Sequence, residues 1–193
     1  EDRIVQDRLS RILQAIWEPD FLDCSFGFRP ERSAHQALEV IRESLKEGYR
    51  EVYDADLQAY FDTIPHDQLM AALRMRIRDG SVLRLIQMWL EAPIVERQDD
   101  GPPKVSRSKQ GTPQGGVISP LLAHVALDGM ERLCDAEWPD GRPKTPAHRK
   151  GLHKGVTVIR YADDFVGTAP TREVLETHVR PRLEHFLHER GLA

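Results

Sequence analysis

The chain has 193 residues, a hydrophobic content of 40% and a net charge of −4 at neutral pH, which suits one domain, or one domain with a small lobe, and is enough for a core. No apolar run approaches the roughly 20 residues that a bilayer span requires, and the charged opening EDRIVQDRLS lacks the apolar segment of a secretory signal. The two cysteines, Cys24 and Cys134, stand far apart with no C-x-x-C spacing, which argues against a disulfide framework or zinc site and fits a reducing, cytoplasmic setting.

Residues 3–17 are expected to form a helix with Ile4, Leu9, Ile12, Leu13 and Ile16 on its apolar side, stopped by Pro19. Residues 21–32, FLDCSFGFRPER, read as an aromatic-bearing loop. Ser33 to Gly48 reads as a second helix, opened by a Ser33/Gln36 capping box and striped by Ala34, Ala37, Leu38, Ile41 and Leu45. Arg50 to Leu57 reads as a strand that carries Asp54 and Asp56 to its end. Helices follow at 66–79 and 81–92, divided at Gly80, with Asp62 and Ser81 as caps. A hairpin is expected over 94–110 around Asp99-Asp100-Gly101, then a glycine-rich loop at 111–118. Ser119-Pro120 opens a helix to about Trp138, with Ser at the cap and Pro at the first helical position. A polar, basic loop over 139–154 leads into an acidic hairpin at 156–169, VTVIRYADDFVGTA. A helix from Thr171 closes the chain, kinked or divided at Pro181. Strands do not alternate regularly with helices. The expected class is therefore α+β, a small antiparallel sheet backed by helices.

The acidic hairpin carries the chemistry. Two adjacent ionised carboxylates, Asp163 and Asp164, repel each other and are costly to hold between apolar runs. A divalent cation removes that cost. The tetrapeptide alone is read equally well as a solvated turn, since Asp is a common turn residue. Asp56 ends an apolar strand, so if the two segments are neighbours, three carboxylates meet at one sheet edge. Oxygen-only ligands suit Mg²⁺ or Mn²⁺, and a pair of such ions about 4 Å apart serves phosphoryl transfer. The loop QGTPQGGVISP (110–120) lets backbone approach a ligand closely, with Gln114 able to reach a nucleotide. It also reads as an ordinary loop before a capped helix. No G-x-x-x-x-G-K-[ST] motif is present, so a nucleotide-hydrolysing P-loop is not supported. The net charge is acidic, yet residues 141–160 carry Arg142, Lys144, Arg149, Lys150, Lys154 and Arg160 with no acid. Such a stretch can track phosphates or be plain solvated loop charge.

Four segments, GFRPERSAHQAL (27–38), DADLQAYFDTIPHDQL (54–69), QGTPQGGVISPLLAHVALDGME (110–131) and YADDF (161–165), occur in this order. In wording and spacing the chain resembles the reverse-transcriptase domain of group II intron-encoded proteins. The resemblance implies a polymerase palm with part of a helical fingers subdomain. Residues 1–50 would be fingers-side helices and 51–193 mainly palm. It implies that Asp56, Asp163 and Asp164 bind two Mg²⁺ ions, with Mn²⁺ as a substitute. Phe61 matches the bulky gate that crowds a ribose 2′-hydroxyl, though its position also suits core packing beside Tyr60. Gln114 and Gly115 match the loop against the incoming nucleotide, and backbone amides after Asp56 would hold phosphate oxygens. Tyr161 and Ala162 would lie near the primer end. Arg29 would contact template or brace the fingers. Implied partners are an intron RNA template, a DNA or RNA primer and dNTPs, in a role linked to intron mobility and splicing. An RNA-binding splicing cofactor, an inactive remnant, and retron, diversity-generating or CRISPR-associated enzymes remain alternatives. The family has a basic fingers segment before the part matched by EDRIVQ, and a thumb and maturase region after the part matched here, so a fingers–palm portion is expected. His124 stands where many relatives have asparagine.

Overall fold

A computed structural model describes residues 2–96, 104–106, 109–113, 115–131, 152–153 and 156–192. In chain order its elements are α1 (Asp2–Trp17), α2 (Ala34–Lys46), β1 (Glu51–Ala55), α3 (Tyr60–Thr63), α4 (His66–Arg74), α5 (Gly80–Leu90), β2 (Ile94–Glu96), β3 (Lys104–Ser106), α6 (Ser119–Ala126), β4 (Leu152–His153), β5 (Val156–Tyr161), β6 (Asp164–Ala169), α7 (Arg172–Val174), a π-helical turn (Leu175–Val179) and α8 (Arg180–Glu189). The α+β class is as expected.

Four strands form one antiparallel sheet in the order β1-β6-β5-β4, and β2 pairs with β3 apart from it. Strand side chains alternate between faces, so the register sorts the sheet. Tyr53, Ala55, Phe165, Val156, Val158 and Ala169 turn toward the main core, which α1, α4, α5, α6 and the C-terminal helices complete. Leu13, Leu73, Leu122 and Ile86 lie at its centre. Each such side chain stabilises the fold by about 1.5–3 kcal/mol through removal from water. The other face is covered by α2, whose Ala37, Val40 and Ile41 pack with Phe26, Ile159 and Val166. The sheet is thus sandwiched, and its β1–β6–β5 end is held from both sides.

Several local expectations are corrected. On α1 the buried row is Leu9, Leu13 and Trp17, while Ile4 and Ile12 face out. The apolar stripe there is wider than the surface it meets. On α2 Ala37 and Ser44 are buried and Val40 and Ile41 half-buried on the sheet, while Ala34, Leu38 and Leu45 are exposed. Small residues let the helix sit on the sheet, and Ser44 is satisfied by a 2.5 Å hydrogen bond with Thr168. The Ser33/Gln36 capping box is present. Helix α4 ends at Arg74, and Asp79 rather than Ser81 caps α5, its carboxylate accepting from the amides of Ser81 and Val82. A carboxylate outcompetes a hydroxyl there because it also opposes the helix dipole. Asp62 lies inside the short α3, and Pro65 precedes α4 without a side-chain cap. Ser119 is the first residue of α6 rather than its cap and donates instead to the Pro113 carbonyl at 2.9 Å. That helix ends at Ala126, with Gly129 at φ +91°, and the part expected over 132–138 lies outside the described residues. Leu152–His153, placed in a loop by the sequence, form an edge strand. Pro181, which has no amide to donate, is preceded by the π-helical turn, so the last helix is divided as expected. The turn expected at 99–101 lies outside the described residues. Among the described residues no helix is long and apolar enough to cross a membrane.

Candidate active site

The antiparallel pairing of β1 with β6 decides where the acids meet. Asp54 pairs with Val166 and Ala55 with Phe165, so the chain leaves β1 at Asp56 beside the start of β6 at Asp164. The β5–β6 hairpin closes with Tyr161 opposite Asp164, leaving Ala162 and Asp163 as the turn. The strands that carry the acids are thus neighbours. Asp56, Asp163 and Asp164 gather at one end of the sheet, with Asp54 one step back along β1. Asp54, Asp56 and Asp164 are exposed and Asp163 is half-buried. Partial burial, and then the charges of Asp163, Asp56 and Asp54, raise the Asp164 carboxyl above the usual aspartate range. Four acids therefore share one field.

The donor chemistry fits a hard divalent cation, because the group is oxygen-only, accessible and held at a cost that a cation would relieve. As placed, no three acidic, histidine or cysteine side chains among the described residues stand close enough to chelate one ion together.

The turn itself is strained. Ala162 has φ +58°, a left-handed value that costs a residue with a Cβ. Phe28 (φ +56°) and Ala59 (φ +50°) share it, and both border the same region. Gly27 explains the GFRP wording. A Cβ there would stand 2.2 Å from the Ala162 amide nitrogen, so only glycine lets this loop lie against the turn.

Phe61 is half-buried, edge-on to Phe28 at 6.0 Å and to Tyr60 at 5.7 Å. Tyr60 points the other way, into the core, where its hydroxyl donates to the Ala123 carbonyl at 2.5 Å. Both rings pack on the main core, and both, with Phe28, Ala123, His124 and Ala162, line a narrow cleft that has no room for a water molecule. The glycine-rich loop is stitched beside it. The Thr112 amide donates to the Phe61 carbonyl and the Gly111 amide to the Ile64 carbonyl, each at 2.7 Å. At Gly111 (φ +85°) a Cβ would meet the Asp62 carbonyl at 2.7 Å. Gly115 (φ +74°) is exposed with open space around it, and Gln114 lies outside the described residues. Tyr161 is 38% exposed beside the acids.

Arg29 is buried. It pairs with Glu18 at 2.6 Å, donates to the carbonyls of Leu22 and Ser25, and lies over the Phe21 ring. Its geometry is that of a brace for the loop, not of a template contact. Arg142, Lys144, Arg149, Lys150 and Lys154 lie outside the described residues. Phe28 was not foreseen. It is 54% exposed at the mouth of the cleft, and nothing in its sequence setting announces a left-handed phenylalanine.

A small antiparallel sheet presenting acids at a hairpin tip and an adjacent strand end, with helices behind, defines a polymerase palm with part of its fingers. The chain belongs to the reverse transcriptase (RNA-dependent DNA polymerase) family, whose profile matches residues 1–193. Protein YkfC of Escherichia coli K12 is 34% identical over 96% of this chain and 54% of its own length. The group II intron-encoded protein LtrA of Lactococcus lactis is 36% identical over 83% of this chain and 26% of its own. The chain therefore spans about half of the first relative and a quarter of the second. In fold it is similar to an apo telomerase from Candida tropicalis, at a TM-score of 0.67 and 13% identity over 97% of this chain and 38% of the telomerase.

Proposed function

We propose that this chain is the fingers–palm portion of a group II intron-type RNA-directed DNA polymerase that adds dNTPs to a primer 3′-hydroxyl on an RNA template. The observation that carries this reading is the gathering of Asp56, Asp163 and Asp164 at one sheet end beside the Phe61 cleft. Two Mg²⁺ ions, or Mn²⁺, held by these carboxylates would supply Lewis-acid stabilisation to the attacking and leaving oxygens. The chain's own residues do the rest. Asp56, Asp163 and Asp164 would be the residues that hold the ions. Backbone amides after Asp56 hold phosphate oxygens. Phe61 fills the space that a ribose 2′-hydroxyl would need, and the stitched 111–115 backbone with Gln114 borders the nucleotide. Tyr161 and Ala162 face the primer end, where a small side chain leaves room. The basic run Arg142, Lys144, Arg149, Lys150 and Lys154 tracks RNA phosphates. Residues 1–50 serve as fingers-side helices, and the protein acts in a reducing cytoplasm.

The test is primer extension by the whole protein that carries this chain. Asp163→Asn keeps the shape and removes the charge, and should lower the rate by at least about 10³-fold, the scale of losing a centre of transition-state charge stabilisation. Retained extension sinks the site. A second role, binding and folding intron RNA, is favoured by the likeness to nuclear intron maturase 2 of Arabidopsis thaliana, 30% identical over 72% of this chain and 24% of its own length. The two separate cleanly: carboxylate variants should lose synthesis and keep intron RNA binding.

A further inference from the structure

We infer that Arg160 is the positioning residue of the acidic turn, a buried bracket that sets where the Asp163 carboxylate stands. The inference rests on reading Asp163 as a metal-binding residue. By sequence Arg160 ends a basic run and looks like one more phosphate contact. The β5 register puts it instead on the core face with Val158, and it is 1% exposed. A guanidinium is taken out of water at a large cost unless its donors are all matched. Three of its five N–H groups point to three separate acceptors. Nε donates to Glu131, itself buried, at 2.5 Å; Nη1 donates to the Ala162 carbonyl at 2.9 Å; Nη2 donates to His124 Nε2 at 2.8 Å.

The contact with Ala162 matters most. Its carbonyl shares a peptide plane with the Asp163 amide, so gripping that oxygen orients the plane from which Asp163 starts. Ala162 is also the strained residue, and a left-handed alanine persists only where its surroundings over-determine it. Arg160 supplies one constraint from behind and Gly27 packs on the Ala162 amide from the side. The remaining contacts make the bracket rigid. His124 Nε2 also lies 2.8 Å from Ser25 Oγ. Burial and the charges of Arg160 and Arg29 push the imidazole well below its ordinary pKa, and because a guanidinium can only donate, Nε2 is the acceptor. The Arg160 backbone amide donates to Cys24 O, and its carbonyl accepts from the Phe26 amide. One residue thus joins the GFRP loop, α6, Glu131 and the acidic turn. Lysine keeps the charge but has no planar fork to reach three acceptors.

The test separates position from stability. In the whole protein, Arg160→Met combined with Glu131→Met removes the buried pair together, a replacement that leaves fold stability near its starting value in other buried pairs. Melting temperature, single-nucleotide extension kinetics and Mn²⁺ affinity by electron paramagnetic resonance are measured alongside Arg160→Lys. The expected result is a double variant that melts close to the parent. Its kcat falls about 100-fold, as for a misplaced reacting group. Mn²⁺ binds about 10-fold more weakly, as when the support of a metal ligand is lost, and KM for dNTP changes little. A folded double variant with parental kcat and Mn²⁺ affinity overturns the inference. If the double variant does not fold, Arg160→Lys decides: a folded protein with reduced Mn²⁺ affinity and kcat supports the bracket, and parental values for both overturn it. Asp163→Asn runs in parallel. Should it keep Mn²⁺ affinity and extension, the metal-site reading fails, and the bracket's catalytic meaning with it.

Discussion

The two sides of the acidic turn are built on opposite electrostatic plans. In front, Asp54, Asp56, Asp163 and Asp164 crowd at a solvent-facing sheet end, and partial burial, followed by the charges of the other three, raises the carboxyl of Asp164. Behind, a few ångströms of chain away, Arg160 and Glu131 form an ion pair whose side chains are 1% and 2% exposed. The back sets charge against charge. The front carries charge that the protein does not balance locally. A fold tolerates such a surplus where it serves a ligand, and the closed pair behind keeps the backbone still while the surplus is held in place.

If the back is balanced, opening it should be the costliest single change. Glu131→Ala leaves a buried guanidinium short of its carboxylate and should destabilise the fold by about 3–5 kcal/mol, readable as a lowered denaturant midpoint. A loss below 1 kcal/mol would mean that the pair is more hydrated than its burial implies, and would break the contrast. Gly27→Ala attacks the junction between the two sides. Its new Cβ would stand 2.2 Å from backbone, which no rotamer change relieves. A cost of about 1–3 kcal/mol is expected, the range for overpacked sites, together with slower extension. Unchanged extension would show that the turn does not depend on the loop beneath it. On the front, Phe61→Ala should cost the fold less than about 3 kcal/mol, the scale of a fully buried ring, since Phe61 is half-buried against the core. It should raise ribonucleotide use about 10- to 100-fold, the scale on which pockets sort a single small group. Unchanged sugar selectivity in competition assays would remove Phe61 from the gate.

How much of this was legible in the sequence follows the same division. The front could be read: YADD between two β-branched runs, a strand ending in Asp56 and the bulky Phe61 are local patterns, and the pairing of β1 with β6 turned them into one site. The back could not. Arg160 stood in a run of basic residues, and charge alone does not say which face of a strand a residue takes. Only the register puts it with Val158 in the core. Arg29 was open for the same reason, since its partners Glu18, Leu22 and Ser25 are made neighbours by the fold of the loop. Left-handed Phe28, Ala59 and Ala162 escaped because the usual sequence signal for positive φ is glycine or asparagine. The caps failed more simply. Asp79 and Ser81 are both good cap residues two positions apart, and propensity does not choose between them.

The smallest effect tests the front most directly. The carboxyl of Asp164 is raised in the folded chain, so the fold binds that proton more tightly than the unfolded chain does. Its contribution is fully present below the ordinary aspartate value of about 3.9 and is lost as pH rises through the raised value. At pH 7 the ionised Asp164 therefore works against folding. In chelator at pH 7, Asp164→Asn should raise the melting temperature, by less than about 4 °C because the group is largely exposed and screened. Near pH 3 the variant and the parent should melt together. Adding Mg²⁺ should then raise the parent more than the variant, since binding to the folded state alone stabilises it and the variant has lost a ligand. A variant that melts lower than the parent at pH 7 would mean that Asp164 is held by an attraction that outweighs its three acidic neighbours. The front would then be as balanced as the back.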